Sequence, residues 1–227
     1  MLNLNIAQLN IAELNTNLDA LHLLKHPFYQ AWSQGTLSRS ILADYAQEYY
    51  KHVEAFPRYI SAIHTQCSDL KSRQVLLGNL LEEEAGEENH PALWANFAVA
   101  MGCERSALKE DARLASTQAL VDGYYQLCQS SYATGLGALY AYERQVPAVA
   151  QSKIDGLIKF YATDDADTLK FFSVHLTADV WHAEECAALL LKLPQEEQVQ
   201  AAEGAKQAAQ LLWGFLDGMC AKHELHC

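Results

Sequence analysis

Apolar residues recur at helical spacing along most of the 227-residue chain, and polar residues occupy the positions between them. The first apolar stripe comprises Leu4, Ile11, Leu14, Leu18 and Leu21. The pattern predicts a first helix that ends near His26-Pro27, then helices over 38–67, 69–90, 91–101, about 113–131, 133–161, 165–193 and 195–222. The predicted fold is an all-α bundle of seven to eight helices.

Capping residues and prolines divide these segments. Ser38 is a predicted N-cap, and either Ser68 or Asp69 begins the next helix. Pro57 and Pro147 lie inside predicted helices. A proline there removes one backbone hydrogen bond, so we expect a kink at each.

The composition agrees with one helical domain. Glycine (11) and proline (5) are scarce, and hydrophobic residues make up 50% of the chain, which excludes an all-β fold and a disordered chain. No stretch resembles a linker. Residues 1–227 are therefore predicted to form one domain, with 1–17 as an N-terminal helical extension and 219–227 as a frayed tail.

The charge and the cysteines limit the partners and the compartment. A net charge of −12 argues against nucleic acid or an anionic membrane as a partner. No apolar run is long enough to span a membrane, and the amino terminus lacks the pattern of a signal peptide. The six cysteines show no CxxC spacing, so we expect reduced thiols and a cytoplasmic location.

One segment, VHLTADVWHAEE, carries a candidate set of metal ligands. His175, Asp179 and His182 lie at positions i, i+4 and i+7, within an arc of about 60° on one helix face. The neighbouring positions are mostly apolar, so this face is predicted to point inward. Two imidazoles and a carboxylate on a buried face would bind a divalent metal.

Two further candidates lie elsewhere in the chain. Glu83 and His90 are seven residues apart in EEEAGEENH and share a helix face, although such an acidic run is more often a solvated surface. Glu143 interrupts an otherwise apolar helix rich in glycine and alanine. A metal would explain this carboxylate, and pairing with Arg144 or with a buried tyrosine is the alternative.

Together these clusters supply three carboxylates and three imidazoles, a set that suits a dinuclear metal site within a helical bundle. Tyrosines concentrate on the same helices or beside them: Tyr29, Tyr45, Tyr49, Tyr50, Tyr59, Tyr140 and Tyr142. Most are expected to be core residues whose hydroxyl forms a hydrogen bond. A tyrosine near a metal that activates oxygen is also an oxidisable group.

The chain resembles a known family. The stretches HPFYQAW, YAQEYYKHVEAFPRYISAIHTQC, EEEAGEENHPALW, ALYAYERQVP and ADVWHAEE are similar to those of the chlamydial protein associating with death domains and its bacterial relatives. The resemblance covers roughly residues 18–218. It implies the haem-oxygenase-like, all-helical fold, which thiamin-salvage hydrolases and the quinone-cofactor synthase share.

The resemblance also implies an activity. Members are dinuclear iron, or mixed iron–manganese, oxygenases that make para-aminobenzoate for folate synthesis with dioxygen and an external reductant. Carried over by motif, the metal ligands are Glu83, His90, Glu143, His175, Asp179 and His182. This is the set that the spacing argument reaches on its own.

The same resemblance assigns the reacting groups. Tyr29 would be the sacrificed ring and Lys153 the amino donor, with Tyr45 and Tyr142 as radical relays that line the site. Lys153 lies ten residues after Glu143, which on a straight helix places it about 80° away from Glu143. A bend at the intervening proline is expected to correct this offset.

Other functions of the same fold stay open as alternatives. A thiamin-salvage hydrolase needs a nucleophilic cysteine paired with a glutamate, and GLGALYAYE contains no thiol. A haem oxygenase would use His22 or His26, and the quinone-cofactor synthase uses no metal; neither accounts for six ligands. A helical partner-binding protein is an alternative of a different class. A homodimer is expected from the fold.

Overall fold

The computed structural model describes residues 9–176 and 178–225, apart from the side chains of 178–180. Within these residues the chain forms eleven α-helices and no strand, which confirms the all-α prediction. The helices are α1 (Ile11–Leu18), α2 (Pro27–Gln34), α3 (Arg39–Gln66), α4 (Leu70–Glu84), α5 (His90–Ala100), α6 (Ala115–Ser130), α7 (Tyr132–Glu143), α8 (Val146–Tyr161), α9 (Ala166–His175), α10 (Ala178–Lys192) and α11 (Gln195–Lys222).

The predicted number of seven to eight helices is too low for three reasons. A short helix, α2, lies between the first two predicted ones. The helix predicted over 133–161 is two helices, since Pro147 stands in the first turn of α8 rather than inside a continuous helix. The helix predicted over 165–193 is likewise divided into α9 and α10. In contrast, α3 continues through Pro57 as one element of 28 residues.

Side-chain caps fix where several helices begin. Ser38 caps α3 by accepting a hydrogen bond from the backbone N–H of Ile41 at 3.3 Å, and Asp69, not Ser68, caps α4. Asn89 Oδ1 accepts from the N–H of Ala92 at 3.0 Å. This cap makes His90 the first residue of α5, so its side chain leaves the helix at a defined end.

Helix α7 lies at the centre of the bundle and packs against α11, α10, α6 and α3. Glycines allow its closest approach. A β-carbon at Gly137 would overlap the carbonyl group of Ala201 on α11, and one at Gly204 would overlap the carbonyl group of Thr134 on α7. The two backbones are therefore in direct contact, and Glu143 at the end of α7 is carried into the core.

The carboxyl-terminal region is more ordered than predicted. Residues 219–222, expected in a frayed tail, belong to α11, and Lys222 and His223 both contact the carboxylate of Asp44, at 2.5 and 2.8 Å. Cys67, Cys103, Cys128 and Cys186 carry no disulfide, as expected. Cys220 is disulfide-bonded, so the expectation of reduced thiols is wrong there. Among the described residues, no helix is long and apolar enough to cross a membrane.

The glycine contact gives a prediction about stability. Gly137→Ala places a methyl group against the α11 backbone and is expected to lower the free energy of unfolding by about 1–3 kcal/mol. Gly214→Ala, in the same bundle but with nothing within 4 Å, is the matched control and is expected to be stabilising by up to about 1 kcal/mol. Urea unfolding of both variants measures the difference. Equal effects would contradict a close approach at Gly137.

Candidate metal centre

Three buried side chains form the most compact group of possible ligands. One ligand atom each of Glu83, His90 and His175 lies within 4.8 Å of the other two. They come from three helix ends: the last turn of α4, the first residue of α5 and the last residue of α9. Two imidazoles and one carboxylate with open positions are the donor set that suits non-haem Fe(II).

Hydrogen bonds orient the two imidazoles. The Nδ1 atom of His90 lies 2.7 Å from Oε2 of Glu83. The Nδ1–H of His175 donates to the carbonyl oxygen of Phe171, since a carbonyl can only accept, and this leaves the lone pair on Nε2. The rings of His90 and His175 are 4.3 Å apart. His175 is thus held in the tautomer that a metal needs.

Glu143, the last residue of α7, contacts side chains of α4 and α10. It is buried, and its carboxylate accepts hydrogen bonds from Nδ2 of Asn79 and, at 3.1 Å, from Sγ of Cys186. Asn79 precedes Glu83 by one turn of α4, and Cys186 follows His182 by one turn of α10. Glu143 therefore lies where α4, α7 and α10 meet.

The two remaining predicted ligands are on α10. His182 is buried, and its Nε2 lies 3.2 Å from Oε2 of Glu82. Asp179 belongs to the first turn of this helix, but its side chain lies outside the described residues. The structure thus clusters three predicted ligands from three different helices, so the predicted helix faces shared by Glu83 with His90 and by His175 with His182 are wrong. Glu143 contacts one residue a turn from Glu83 and another a turn from His182.

The predicted reacting groups form a second cluster. The hydroxyl groups of Tyr29 and Tyr45 are 2.7 Å apart, and Nζ of Lys153 donates to the Tyr45 hydroxyl at 2.8 Å. Nζ also lies 4.9 Å from the centre of the Tyr29 ring. The Tyr49 hydroxyl donates to that of Tyr142 at 3.3 Å.

Burial disfavours the charged forms of the groups in this second cluster. It lowers the pKa of Lys153 from 10.5 to about 7, because the ammonium group is removed from water. It raises the pKa of Tyr29 and that of Tyr45 well above 10, because a phenolate would be desolvated in the same way. Near neutral pH, a large fraction of Lys153 is therefore a neutral amine beside two neutral phenols.

A cavity of about 20 Å³ joins the two clusters. Tyr29, Tyr49, Tyr142, Lys153 and His175 all line it. Lys153 reaches this cavity because α7 ends at Glu143 and α8 begins a new helix, so the offset calculated for one straight helix does not apply. The cavity has room for about one water-sized molecule and none for a separate aromatic ring.

Three polar neighbours of the site were not anticipated. Asn79 and Cys186 contact Glu143, and Glu82 contacts His182. Asn79 lies four residues before Glu83 and Cys186 four after His182, so one-turn spacing from the predicted ligands is a signal that could have found them. Glu82 had no such signal, because it is one of several glutamates in an acidic run.

His52 is a further buried polar residue close to the site. It is fully buried, and neither ring nitrogen has a hydrogen-bond partner. Its ring lies 5.3 Å from that of Tyr142 and 5.4 Å from that of Tyr49, both of which line the cavity. Burial lowers the pKa of His52 to about 3, so the imidazole is neutral.

The fold and this donor set define a class of protein. Residues 43–213 match the family of iron-containing redox enzymes with a haem-oxygenase-like fold, and the chain belongs to that family. The chain is therefore an oxidoreductase.

Individual known proteins are also similar to the chain. A 4-aminobenzoate synthase of Nitrosomonas europaea is 40% identical over 227 residues, covering 95% of this chain and 91% of the relative. A 4-aminobenzoate synthase of Chlamydia muridarum is 41% identical over 205 residues, covering 88% and 87%. These relatives confirm the resemblance found in the sequence. A haem-oxygenase-like protein of Shewanella denitrificans supports the fold, with a TM-score of 0.80, 19% identity and coverage of 96% and 95%.

The buried amine gives a prediction about pH. Its pKa is about 7 in the folded protein and 10.5 in the unfolded chain, so between these values the unfolded chain binds one more proton. Stability therefore rises with pH across this window, by at most about 1.4 kcal/mol per unit. Lys153→Met is expected to lose this rise and to be more stable than the parent at pH 7.

Urea unfolding between pH 7 and 10 measures this effect as the difference between the parent and the variant. The control is Lys159→Met, which makes the same change at an exposed position of α8. Its curve is expected to stay parallel to that of the parent. A parallel curve for Lys153→Met would show that the amine is not desolvated in the folded protein.

Proposed function

We propose that this protein is a 4-aminobenzoate synthase that builds its product from Tyr29, with the nitrogen of Lys153, beside a two-ion iron or iron–manganese centre. The identity of about 40% to the 4-aminobenzoate synthases supports the activity. The contacts around Tyr29 and Lys153 support the source of the atoms.

One observation carries the proposal: the cavity between the metal ligands and the lysine is about 20 Å³ and is lined by tyrosines of the chain itself. 4-Aminobenzoate contains an aromatic ring and one carboxyl carbon, which correspond to the ring and Cβ of a tyrosine. An external aromatic precursor does not fit into the space. The ring of Tyr29 is already there, held at a fixed distance from the amine.

The donor set fits two ions. Glu83, His90 and His175 would hold one ion, and Glu143 and His182 would provide ligands for the other, together with Asp179. Iron would supply activation of dioxygen, which with electrons from an external reductant would oxidise the Cβ methylene of Tyr29 to a carboxyl group as the Cα–Cβ bond breaks. The Lys153 nitrogen would replace the phenolic oxygen, which leaves as water, and the Cε–Nζ bond would break. Manganese in one position agrees equally well with oxygen and nitrogen ligands.

Side chains of the protein itself provide a path for proton transfer. The Tyr29 and Tyr45 hydroxyls share one hydrogen bond, and Lys153 contacts the second of them. A neutral amine has a lone pair, so Lys153 can take the proton that Tyr29 releases through Tyr45 when the ring is oxidised. The amine must then lose this proton again before its nitrogen can bond to the ring.

A second candidate function has one observation in its favour. Cys186 and Glu143 form a contact of 3.1 Å, the cysteine–glutamate pair that a thiamin-salvage hydrolase would need. The stretch GLGALYAYE of α7 contains no thiol, whereas Cys186 comes from α10. Cys186 is buried, with 2% of its surface exposed. Cys186→Ser would abolish hydrolysis of a thiamin fragment and leave the release of 4-aminobenzoate intact, so the two functions are separable.

The origin of the ring can be tested directly. Protein made with ring-labelled tyrosine is reconstituted anaerobically with Fe(II), with and without Mn(II), and then given reductant and oxygen. We expect labelled 4-aminobenzoate, and an intact mass that falls by the side chain at position 29 together with a change at position 153 that reflects the loss of its nitrogen. Tyr29→Phe is expected to yield none, while Tyr50→Phe, on the same bundle but outside the cavity, behaves as the parent does. Unlabelled product would show that the ring comes from outside the chain.

The metal ligands are tested by binding. We expect His175→Ala to lose at least one of two bound Fe(II) ions, because this imidazole has no substitute in its cluster. Fe(II) is expected to raise the Tm of the parent more than that of the variant, because an ion stabilises the state that binds it. Metal analysis after desalting and a thermal scan measure both effects. His64→Ala, on α3, is the control; equal metal content in the two variants would contradict the assignment.

A further inference from the structure

A groove of about 360 Å³ lies on the surface between α4 and α10. Its inner end is formed by Asn79 and His182, and Trp181 forms part of its wall. It shares no lining residue with the inner cavity, which touches the ligand cluster at His175. The candidate metal centre therefore has an open side at His182, separate from the closed aromatic cavity at His175.

The inner end of this groove contains an oxygen atom without a partner. The amide nitrogen of Asn79 donates to Glu143, whereas its Oδ1 has no hydrogen-bond partner, although only 4% of the residue's surface is exposed. A buried carbonyl oxygen left in this state is costly and calls for an explanation. An amide oxygen is also a good ligand for a hydrated divalent cation.

The charges that face the groove are unevenly distributed. Glu82 and Glu185 flank His182 at one end, and the Glu82 carboxylate is half exposed and 3.2 Å from the imidazole. Among the described residues, one lysine lines the groove: Lys71, which lies eleven residues before Glu82, about three helical turns away. The end next to the metal ligands is thus the end that attracts a cation.

We propose that this groove is the route by which divalent metal ions enter, and that Glu82 and Glu185 form a capture site at its end beside His182. The captured ion passes Asn79 on its way to Glu143 and His182. The contact between Glu82 and His182 places the capturing carboxylate directly on a final ligand, so transfer requires only a short movement. This inference rests on the proposed metal centre and adds a loading route to it.

The test measures uptake of Co²⁺ alone by metal-free protein in an anaerobic stopped-flow instrument, from the absorbance of the bound ion. We expect Glu82→Gln to slow uptake about tenfold, with a smaller effect for Glu185→Gln, because the attraction of a carboxylate is lost. Glu84→Gln and Glu184→Gln are matched controls, with the same change of charge on the same two helices outside the groove. They are expected to keep the parent rate.

Two further measurements keep the result interpretable. The final number of bound ions is expected to be the same in all variants, which separates a loading route from a structural ligand. Added salt is expected to slow the parent and to have little effect on Glu82→Gln. Equal rates for Glu82→Gln and Glu84→Gln would overturn the entry route and leave the metal centre standing. A parent protein that binds no Co²⁺ would overturn both the route and the proposed function.

Discussion

The burial of carboxylates inside a helical core is the constraint on which the site depends. Glu83 and Glu143 are each at least nine-tenths buried, and an ionised carboxylate in such a place is costly unless charge and hydrogen bonds compensate it. His90 lies against one, and the amide of Asn79 and the thiol of Cys186 against the other. An amide and a thiol carry no positive charge, so the proposed divalent cations would add to the compensation. The direct contact of α7 with α11 carries Glu143 to this depth.

The same low-polarity interior favours the proposed chemistry of the second cluster. Desolvation lowers the pKa of Lys153 to about 7, so a substantial fraction is a neutral amine near neutral pH, and it raises the pKa of Tyr29, so the phenol stays neutral. Oxidation of a phenol releases a proton, and a buried phenol needs a neighbour to receive it. The contact from Tyr29 through Tyr45 to Lys153 supplies one. The low polarity of the interior thus favours the neutral amine. It also makes a nearby proton acceptor necessary, because the phenol is buried away from bulk water.

Much of this organisation could be predicted from local patterns. The limits of α11 follow from one helical period. The predicted shared helix faces do not, because His175 ends α9 while His182 belongs to α10, and Glu83 belongs to α4 while His90 begins α5. The ends of some other helices could not be predicted in the same way. A proline in the first turn of a new helix, such as Pro147 in α8, cannot be distinguished in sequence from a proline at a kink within one helix. Because the break between α7 and α8 was not predicted, the position of Lys153 relative to Glu143 could not be calculated from the sequence. Side chains that meet across helices, such as Glu82 and His182, depend on packing that no single period encodes.

The proposed reaction changes the protein that carries it out. Tyr29 is 3% exposed and packs against Trp32 and Tyr45, in the region where α2 contacts α8. Removal of its ring would leave a cavity in the core, and the loss of a buried aromatic side chain of this size costs about 3–5 kcal/mol. A chain that had reacted would lack both its substrate and part of its packing. The arrangement that makes the ring available at a fixed position therefore also limits each chain to one product molecule.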